Sequence, residues 1–406
     1  MKKVVFISPT HPVEMMDFTR ALSEQGAAVL GVGEQPESTL PSAVRPYLDA
    51  YLQVPRLLDE ASASAAIVRA VEKLGVDRVE SLWEVTVQLA ARVREALGIP
   101  GMSRDTVLGF RDKELMKARL RAANLPVPRS QRVKTAEAAL QAAEDIGYPV
   151  IIKPIDGAGS ADTYHCRTED ELQRALVRMG HITQASLEEY VDGDEFTYDT
   201  VCIDGKPVFE NVAQYFPRPL IARSESWISP AQIVYRDPFR PDLMAGVELG
   251  RSVLTALGMG TGFTHMEWYR RADGSPVFGE IGCRSGGGHF VDMMNWSNDF
   301  DVYRGWAQAV LSGNFDVVPQ RKYHVAMVFK RALGEGHITR IEGVQNLYER
   351  FGKAIVANGL LPIGAHRRDW KQTLVSDGCL VVRHPELEPC REMMDAIVRD
   401  VHLYAE

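Results

Sequence analysis

The chain has 406 residues, 45% hydrophobic and 25% charged, with a formal net charge of −8 at pH 7. That length suggests about two to four domains or subdomains, with a core that needs neither disulfides nor a structural metal, and the acidic balance argues against nucleic acid or an anionic membrane as partner. No apolar run approaches the roughly 18 residues that span a bilayer. The opening stretch reads as a first strand rather than a signal peptide. The five cysteines (Cys166, Cys202, Cys283, Cys379, Cys390) lack the spacing of a metal site or a disulfide framework, so a reducing cytoplasm is expected.

In chain order, residues 4–7 and 27–32 read as buried strands around a helix at 14–25 that ends at Gly26. A helix at 62–74 ends at Gly75, and a strand follows at 76–83. This alternation predicts a parallel sheet covered by helices. With no G-x-G-x-x-G after the first strand, nothing points to a dinucleotide there. The pattern breaks at Ile99-Pro100-Gly101, and a helix is expected over 111–123. The prolines of Asn124-Leu125-Pro126-Val127-Pro128 make a rigid connector to a helix at 135–146. From there to about 316, strands and helices mix and all the strong motifs occur. Strands near 323–331 and 374–384 and a helix over 386–404 read as a small α+β unit.

The first motif is a buried strand, Pro149-Val150-Ile151-Ile152-Lys153-Pro154, running into Ile155-Asp156-Gly157-Ala158-Gly159-Ser160 and a second strand at 163–167. Glycines let backbone N–H groups approach phosphate oxygens, and the lysine adds positive charge at the same place. The Walker spacing is absent, so this is no P-loop; a hairpin with an exposed lysine is the other reading. The second motif, Ser186-Leu187-Glu188-Glu189-Tyr190-Val191-Asp192-Gly193-Asp194-Glu195, leads into an extended segment. Backbone at such a hinge can bond an adenine edge, and a carboxylate four residues on can hold ribose hydroxyls; a solvated acidic turn is the alternative.

The third motif is geometric. Strands at 262–269 and 276–281 flank Asp273-Gly274, a two-residue hairpin signal. With that turn Glu267 lies opposite Glu280, and His265 opposite Gly282, all on one face. Opposed like charges are destabilising unless compensated. A hard divalent cation such as Mg²⁺ would compensate them; otherwise the two glutamates splay into water. The run Ile281-Gly282-Cys283-Arg284-Ser285-Gly286-Gly287-Gly288-His289 suggests an anion-binding concavity, or else a flexible loop with a solvated arginine. Glu84 ends a strand of an open α/β sheet, where ligands gather; it could recognise a substrate ammonium or cap a helix.

Arg111-Asp112-Lys113-Glu114-Leu115-Met116-Lys117, Lys153 with its glycine loop, the 188–195 hinge and the Glu267/Glu280 pair, in that order, resemble the ATP-grasp superfamily over roughly residues 105–315. The resemblance implies a multidomain α/β and α+β chain with the ATP-grasp fold. Its parts would be a Rossmann-like pre-ATP-grasp domain (1–104), an ATP-grasp domain (105–316; small lobe about 113–188, central lobe about 189–316) and a small C-terminal α+β lobe (317–406). It implies a ligase that joins a small-molecule carboxylate to an amine through an acyl phosphate, uses ATP and Mg²⁺ (or Mn²⁺), releases ADP and phosphate, and is compatible with a homodimer.

By the same resemblance, Lys113 and Lys153 would contact ATP phosphates together with Gly157, Gly159 and Ser160. Backbone atoms of Glu189 and Val191 would read the adenine edge beside Glu188, Glu195 would bind ribose, and Glu267 and Glu280 would ligate the metal. Arg284 would stabilise the transferring phosphoryl group, and Arg284, Gly286, Gly287, His289 and Glu84 would meet substrates. The Glu-Ile-Gly-Cys-Arg-Ser-Gly-Gly-Gly run and the chain length look similar to the L-amino-acid ligases that make dipeptides. Phosphoribosylglycinamide synthetase-type enzymes and a non-catalytic ATP-binding module are the alternatives. ATP-grasp enzymes commonly show Glu-x-Asn at the second metal glutamate, whereas this chain has Glu280-Ile281-Gly282. The space left by Gly282 would be filled by His265, aiding a metal-bound water or orienting a carboxylate, or by water alone.

Overall fold

In the computed structural model, which describes residues 1–157, 159, 161–371, 373 and 375–406, the N-terminal apolar runs form a parallel sheet. Its strands Lys3–Ile7, Ala28–Gly33, Ala50–Gln53 and Arg78–Glu80 lie in the spatial order third, second, first, fourth. The runs are apolar because both faces are covered. Val4 and Phe6 pack with Phe18 of the helix Met15–Glu24 and with Trp306 of the helix Val302–Ser312. Val5 and Ile7 face Ile67 and Leu89 instead. One face thus docks this sheet on the rest of the chain. The strand expected over 76–83 is short because the chain turns at Glu84–Thr86 into the helix Val87–Leu97.

A small antiparallel sheet follows, ordered Ser130–Val133, Ala185–Glu189, Val150–Pro154, Tyr164–Cys166. The helices Ala136–Ile146 and Glu169–Arg178 accompany it, and Thr135 and Thr168 cap their first turns by accepting backbone N–H bonds. Asp112 caps Lys113–Ala122 in the same way, which is why that helix starts at Lys113 rather than at Arg111.

The large sheet has eight strands, ordered Pro276–Gly282, Gly262–Arg270, Asp194–Ile203, Lys206–Phe216, Ala231–Val234, His324–Phe329, Cys379–His384, Ile355–Asn358. Strands from beyond residue 317 therefore extend the same sheet that carries Glu267 and Glu280. The strand expected from 374 begins at Cys379, and Leu374 lies outside the described residues. The final helix, expected to reach 404, ends at Asp400, and His402–Ala405 pairs as a strand with Ile338–Glu342. Val401, Leu403 and Ala405 are buried in alternation, a period of two that a helix cannot satisfy.

The hairpin register is as expected where it matters and different at the turn. Glu267 pairs with Glu280 and His265 with Gly282, but Arg270 pairs with Pro276, so the turn spans Arg271–Ser275 rather than two residues. A bulge at Gly279 restores the alignment. A Cβ there would stand 2.9 Å from the Glu267 carbonyl oxygen, so glycine fits the bulge. The cysteines Cys166, Cys202, Cys283, Cys379 and Cys390 are buried and free, and no helix among the described residues is long and apolar enough to cross a membrane.

Helix Met244–Leu257 lies on this sheet through small residues. A Cβ on Gly250 would stand 2.2 Å from the Tyr198 ring, and one on Gly246 would stand 2.1 Å from Trp268. Gly250→Ala should lower unfolding free energy by about 1–3 kcal/mol, because overpacking outweighs the better helix propensity. Urea unfolding measures this, and a neutral or stabilising result would mean the helix can lift off the sheet.

Candidate active site

The two antiparallel sheets meet where Ala185–Glu189 leaves the small one and Asp194–Ile203 opens the large one. Ser186 pairs with Lys153 across the ladder, so Ser186, Glu188 and Lys153 share a face. Lys117, one helical turn after Lys113, reaches the same face. Its Nζ donates to Ser186 Oγ at 3.1 Å and pairs with Glu188, which also pairs with Lys153. Burial alone would raise the Glu188 pKa, but Lys117 and Lys153 outweigh it and hold it down at about 2. Burial likewise disfavours the Lys153 charge, yet Glu188 and Glu280 overcome this and raise its pKa. Lys113 Nζ donates to the Gly157 carbonyl at 2.7 Å and lies 3.1 Å from Glu280, so it ties the glycine loop to the hairpin.

Across the cleft, Glu280 lies within 4.0 Å of Lys113 and Lys153, whereas among the described residues no lysine or arginine comes that close to Glu267. Glu267 accepts from Tyr215 Oη at 3.4 Å and lies 3.8 Å from His265 Nε2. Burial first, and then the Glu267 charge, push Glu195 up to about 7. Negative charge is therefore in surplus beside Glu267. Among the described residues no group of three or more His, Cys, Asp or Glu frames a metal by itself. Two opposed carboxylates suit a hard divalent ion that takes its remaining ligands from phosphate oxygens and water. On that test Glu267 and Glu280 could hold Mg²⁺ together with a nucleotide.

Lys113, Lys153, Gly157, Gly159, Glu188, Val191, Glu195 and Arg284 line one cleft with this pair, and Ser160 lies outside the described residues. At the hinge, the Glu189 N–H donates to the Arg129 carbonyl and is thereby committed, while the Val191 N–H has no partner among the described residues. Arg218 gave no signal in the sequence and occupies the centre of this region. Its guanidinium lies over Tyr190 (5.1 Å) and Tyr269 (4.7 Å), pairs with Glu195 at 3.1 Å and donates to the Val191 carbonyl at 2.9 Å. Lys117 was legible in principle from its spacing to Lys113; Arg218 follows an irregular stretch with no period.

Three expectations are corrected. Both oxygens of Glu84 are taken by Arg111 and Arg284, leaving no acceptor for a substrate ammonium. Arg111 also donates to the Asp156 carbonyl at 2.8 Å, so the clamp reaches the glycine loop. The space expected beside Gly282 is filled: a Cβ there would stand 2.9 Å from Glu84 and 3.3 Å from the Arg284 stem. His265 does not enter that space: its Nδ1 is bonded to buried Asp199, which also accepts from Thr197 and Asn211, while its Nε2 stays on the cleft side, 3.8 Å from Glu267. Finally, Gly287 lines the cleft's outer part, but Gly286 and His289 do not. A Cβ on Gly286 would stand 2.9 Å from His265, and His289 bonds Asp292 at 2.8 Å.

A hinged pair of antiparallel sheets, lysines on the small one and opposed glutamates on the large one, is the ATP-grasp arrangement, and the chain carries an ATP-grasp domain with the fold of the ATP-grasp ligases. Residues 112–192 match the family described as carbamoyl-phosphate synthase L chain, ATP binding domain. The chain is 27% identical over 225 residues to the L-arginine-specific L-amino acid ligase of Bacillus subtilis, a stretch covering 54% of each protein, so it matches about half of that relative's length. Among solved structures, the L-amino acid ligase from Bacillus licheniformis superposes with a TM-score of 0.79 at 19% identity, covering 100% of this chain and 99% of that one. Phosphoribosylglycinamide synthetase from Anaerococcus prevotii superposes with a TM-score of 0.72 at 14% identity, covering 100% of both.

Glu84→Gln should cost about 3–5 kcal/mol, because it leaves two guanidinium groups without their buried counter-charge. Burial works to raise the Glu84 pKa, but Arg284 and Arg111 hold it at about 2, against 4.5 for an ordinary glutamate. A depressed carboxylate pKa stabilises fully above the unfolded value and loses that contribution as pH falls toward the folded one. The stability gap between wild type and Glu84→Gln should therefore be constant above pH 4.5 and close between 4.5 and about 2. Urea unfolding across that range measures it, and a gap independent of pH would show that the carboxylate charge is not what stabilises the clamp.

Proposed function

We propose that this protein is an ATP-dependent carboxylate–amine ligase that forms an amide bond between L-amino-acid substrates through an acyl phosphate. The observation that carries this reading is the cleft in which Glu267 and Glu280, held opposite each other, face Lys113, Lys153 and Arg284 beside a glycine loop. Phosphoryl transfer needs positioning and charge neutralisation more than covalent chemistry, and this is a charge-neutralising site. The L-amino acid ligase likenesses support the same reading. In this reading residues 1–104 form the pre-ATP-grasp domain, 105–316 the ATP-grasp domain and 317–406 the outer wall, in a cytoplasmic enzyme.

A substrate carboxylate oxygen attacks the γ-phosphorus, the bond to the β–γ bridging oxygen breaks, and ADP leaves with that electron pair. The amine, having lost a proton, attacks the acyl carbon and phosphate leaves. Lys113 and Lys153 bind phosphate oxygens, and the backbone at Val191 meets the adenine. Glu195 binds the ribose once Arg218 yields it, and Arg284, oriented by Glu84, stabilises the anionic transferring group. Mg²⁺ on Glu267 and Glu280, when bound, offsets phosphate charge.

With an ¹⁸O-labelled carboxylate substrate, one label should appear in the released phosphate, alongside ADP. AMP and pyrophosphate as products would overturn the acyl-phosphate route. Lys153→Ala should lower kcat/KM by about 10²–10³-fold, and Glu280→Gln should raise the Mg²⁺ needed for half-maximal turnover. Steady-state ADP release measures both, and near-normal turnover in either variant would remove that residue from the site.

A further inference from the structure

Beyond Glu267 and Arg284 the cleft continues into a second pocket, lined by Tyr215, Pro217, Phe290, Phe329 and Trp370. These come from the large sheet, the helix Phe290–Asn298 and the segment before Cys379. Gly288 also lines it; a Cβ there would meet only Phe329, at 3.8 Å, so the glycine leaves room that a larger residue would fill. The walls are apolar and largely aromatic.

The far end is cationic. Arg331 is only 7% exposed. Its Nη1 donates to the Ala222 and Glu225 carbonyls at 2.8 and 2.7 Å, its Nε to Ser376 Oγ at 3.4 Å, and its guanidinium lies 4.4 Å from the Trp370 ring centre. No hydrogen bond uses Nη2 and no carboxylate lies within 4.0 Å, among the described residues. Burial, and then the neighbouring Arg223, hold its pKa down at about 10. Arg223, which also lines the pocket, gives its guanidinium to the carbonyls of Gly159 and Lys371 and likewise lacks a carboxylate partner among the described residues. Asp377 opposes the Arg331 shift from beyond 4.0 Å, so Arg331 is a buried cation whose counter-charge is only distant, a costly arrangement. Glu267, the carboxylate lining this pocket, stands with Arg284 and His265 where it joins the phosphate cleft.

We infer that this pocket receives the amine substrate as a free α-amino acid with a large apolar or aromatic side chain, its carboxylate on Arg331 and Arg223. The side chain lies among Tyr215, Phe290, Phe329 and Trp370, and the amine points toward the phosphate cleft. This rests on the ligase reading for the identity of the reaction, but the recognition is read from the pocket itself.

Two measurements on the full-length protein separate the two. In the first, tryptophan fluorescence is titrated with L-phenylalanine, L-leucine, L-phenylalaninamide and phenethylamine, with Trp370→Phe identifying the reporting ring. L-Phenylalanine and L-leucine should quench with saturation, and the two ligands lacking a carboxylate should bind at least ~10-fold more weakly. Arg331→Gln should weaken L-phenylalanine at least ~10-fold while leaving ADP binding unchanged. Arg331→Lys, which keeps the charge, should retain more binding than Arg331→Gln, and Arg223→Gln, at a half-buried position, gives a second reading if Arg331→Gln unfolds. Equal binding of phenethylamine and L-phenylalanine, or an unchanged L-phenylalanine Kd in a folded Arg331→Gln or in both arginine variants, overturns the inference.

In the second measurement, ADP release is followed over a matrix of amino-acid donors with the same four amines. Turnover with phenethylamine as efficient as with L-phenylalanine overturns the pocket assignment and leaves the ligase standing. Saturable, carboxylate-dependent L-phenylalanine binding with no ADP from any pair overturns the ligase reading and leaves the pocket.

Discussion

The backbone ladder between Gly262–Arg270 and Pro276–Gly282 forces two half-buried carboxylates, Glu267 and Glu280, to face each other in the cleft. Left alone, that arrangement is repulsive. Much of the surrounding structure answers it. Lys113 and Lys153 come from the small lobe to Glu280, and Arg284 follows it by one turn of chain. Glu267 keeps only neutral or weak partners within 4.0 Å, and its field reaches Glu195, so less of its charge is offset than that of Glu280. The Gly279 bulge sustains this, because without it the alignment set by the turn would bring Glu267 opposite Gly279.

A second constraint acts at long range. Glu84 and Arg284 are separated by 200 positions, yet their ion pair ties the N-terminal parallel sheet to the glycine-rich segment after Glu280. Arg111 extends the tie to Asp156 at the loop above. A charged clamp so buried has modest net stability when intact and is costly to break. Its effect is to hold the Arg284 guanidinium in one orientation. The same carboxylate occupies the volume that an asparagine at position 282 would need, which gives a physical reason for the glycine there.

Where backbone geometry is set by nearest neighbours, the chain was legible in advance. The helices expected from 111 and 135 start within about two residues of those positions, behind the caps Asp112 and Thr135, the apolar runs mark the parallel sheet, and the Asp-Gly signal finds the hairpin, although the Glu267–Glu280 pairing needs the Gly279 bulge to offset a longer turn. The end of the chain reads as helix because the helical period of Leu387–Asp400 runs up to it and an alternation of only three positions, Val401, Leu403 and Ala405, is too short to announce a strand; pairing with Ile338–Glu342 makes it one. Nor could the order of the large sheet be read, since His324–Phe329 joins it beside Ala231–Val234 through contacts some ninety residues apart.

The amino-acid sequence by itself determined which groups are present and which element carries them: a lysine beside a glycine loop, a hinge with an acidic run, and two glutamates on one hairpin. These are consequences of short-range sterics and a two-residue period, which act within a single element. Only the tertiary structure decided how those charges are partnered. That Glu84 holds two arginines, that Arg218 lies over Tyr190 and Tyr269 against Glu195, that His265 bonds Asp199, and that Arg331 lines a largely aromatic pocket all depend on side chains brought together from distant elements. Coulomb energy depends on distance and burial, and neither exists until the chain has folded.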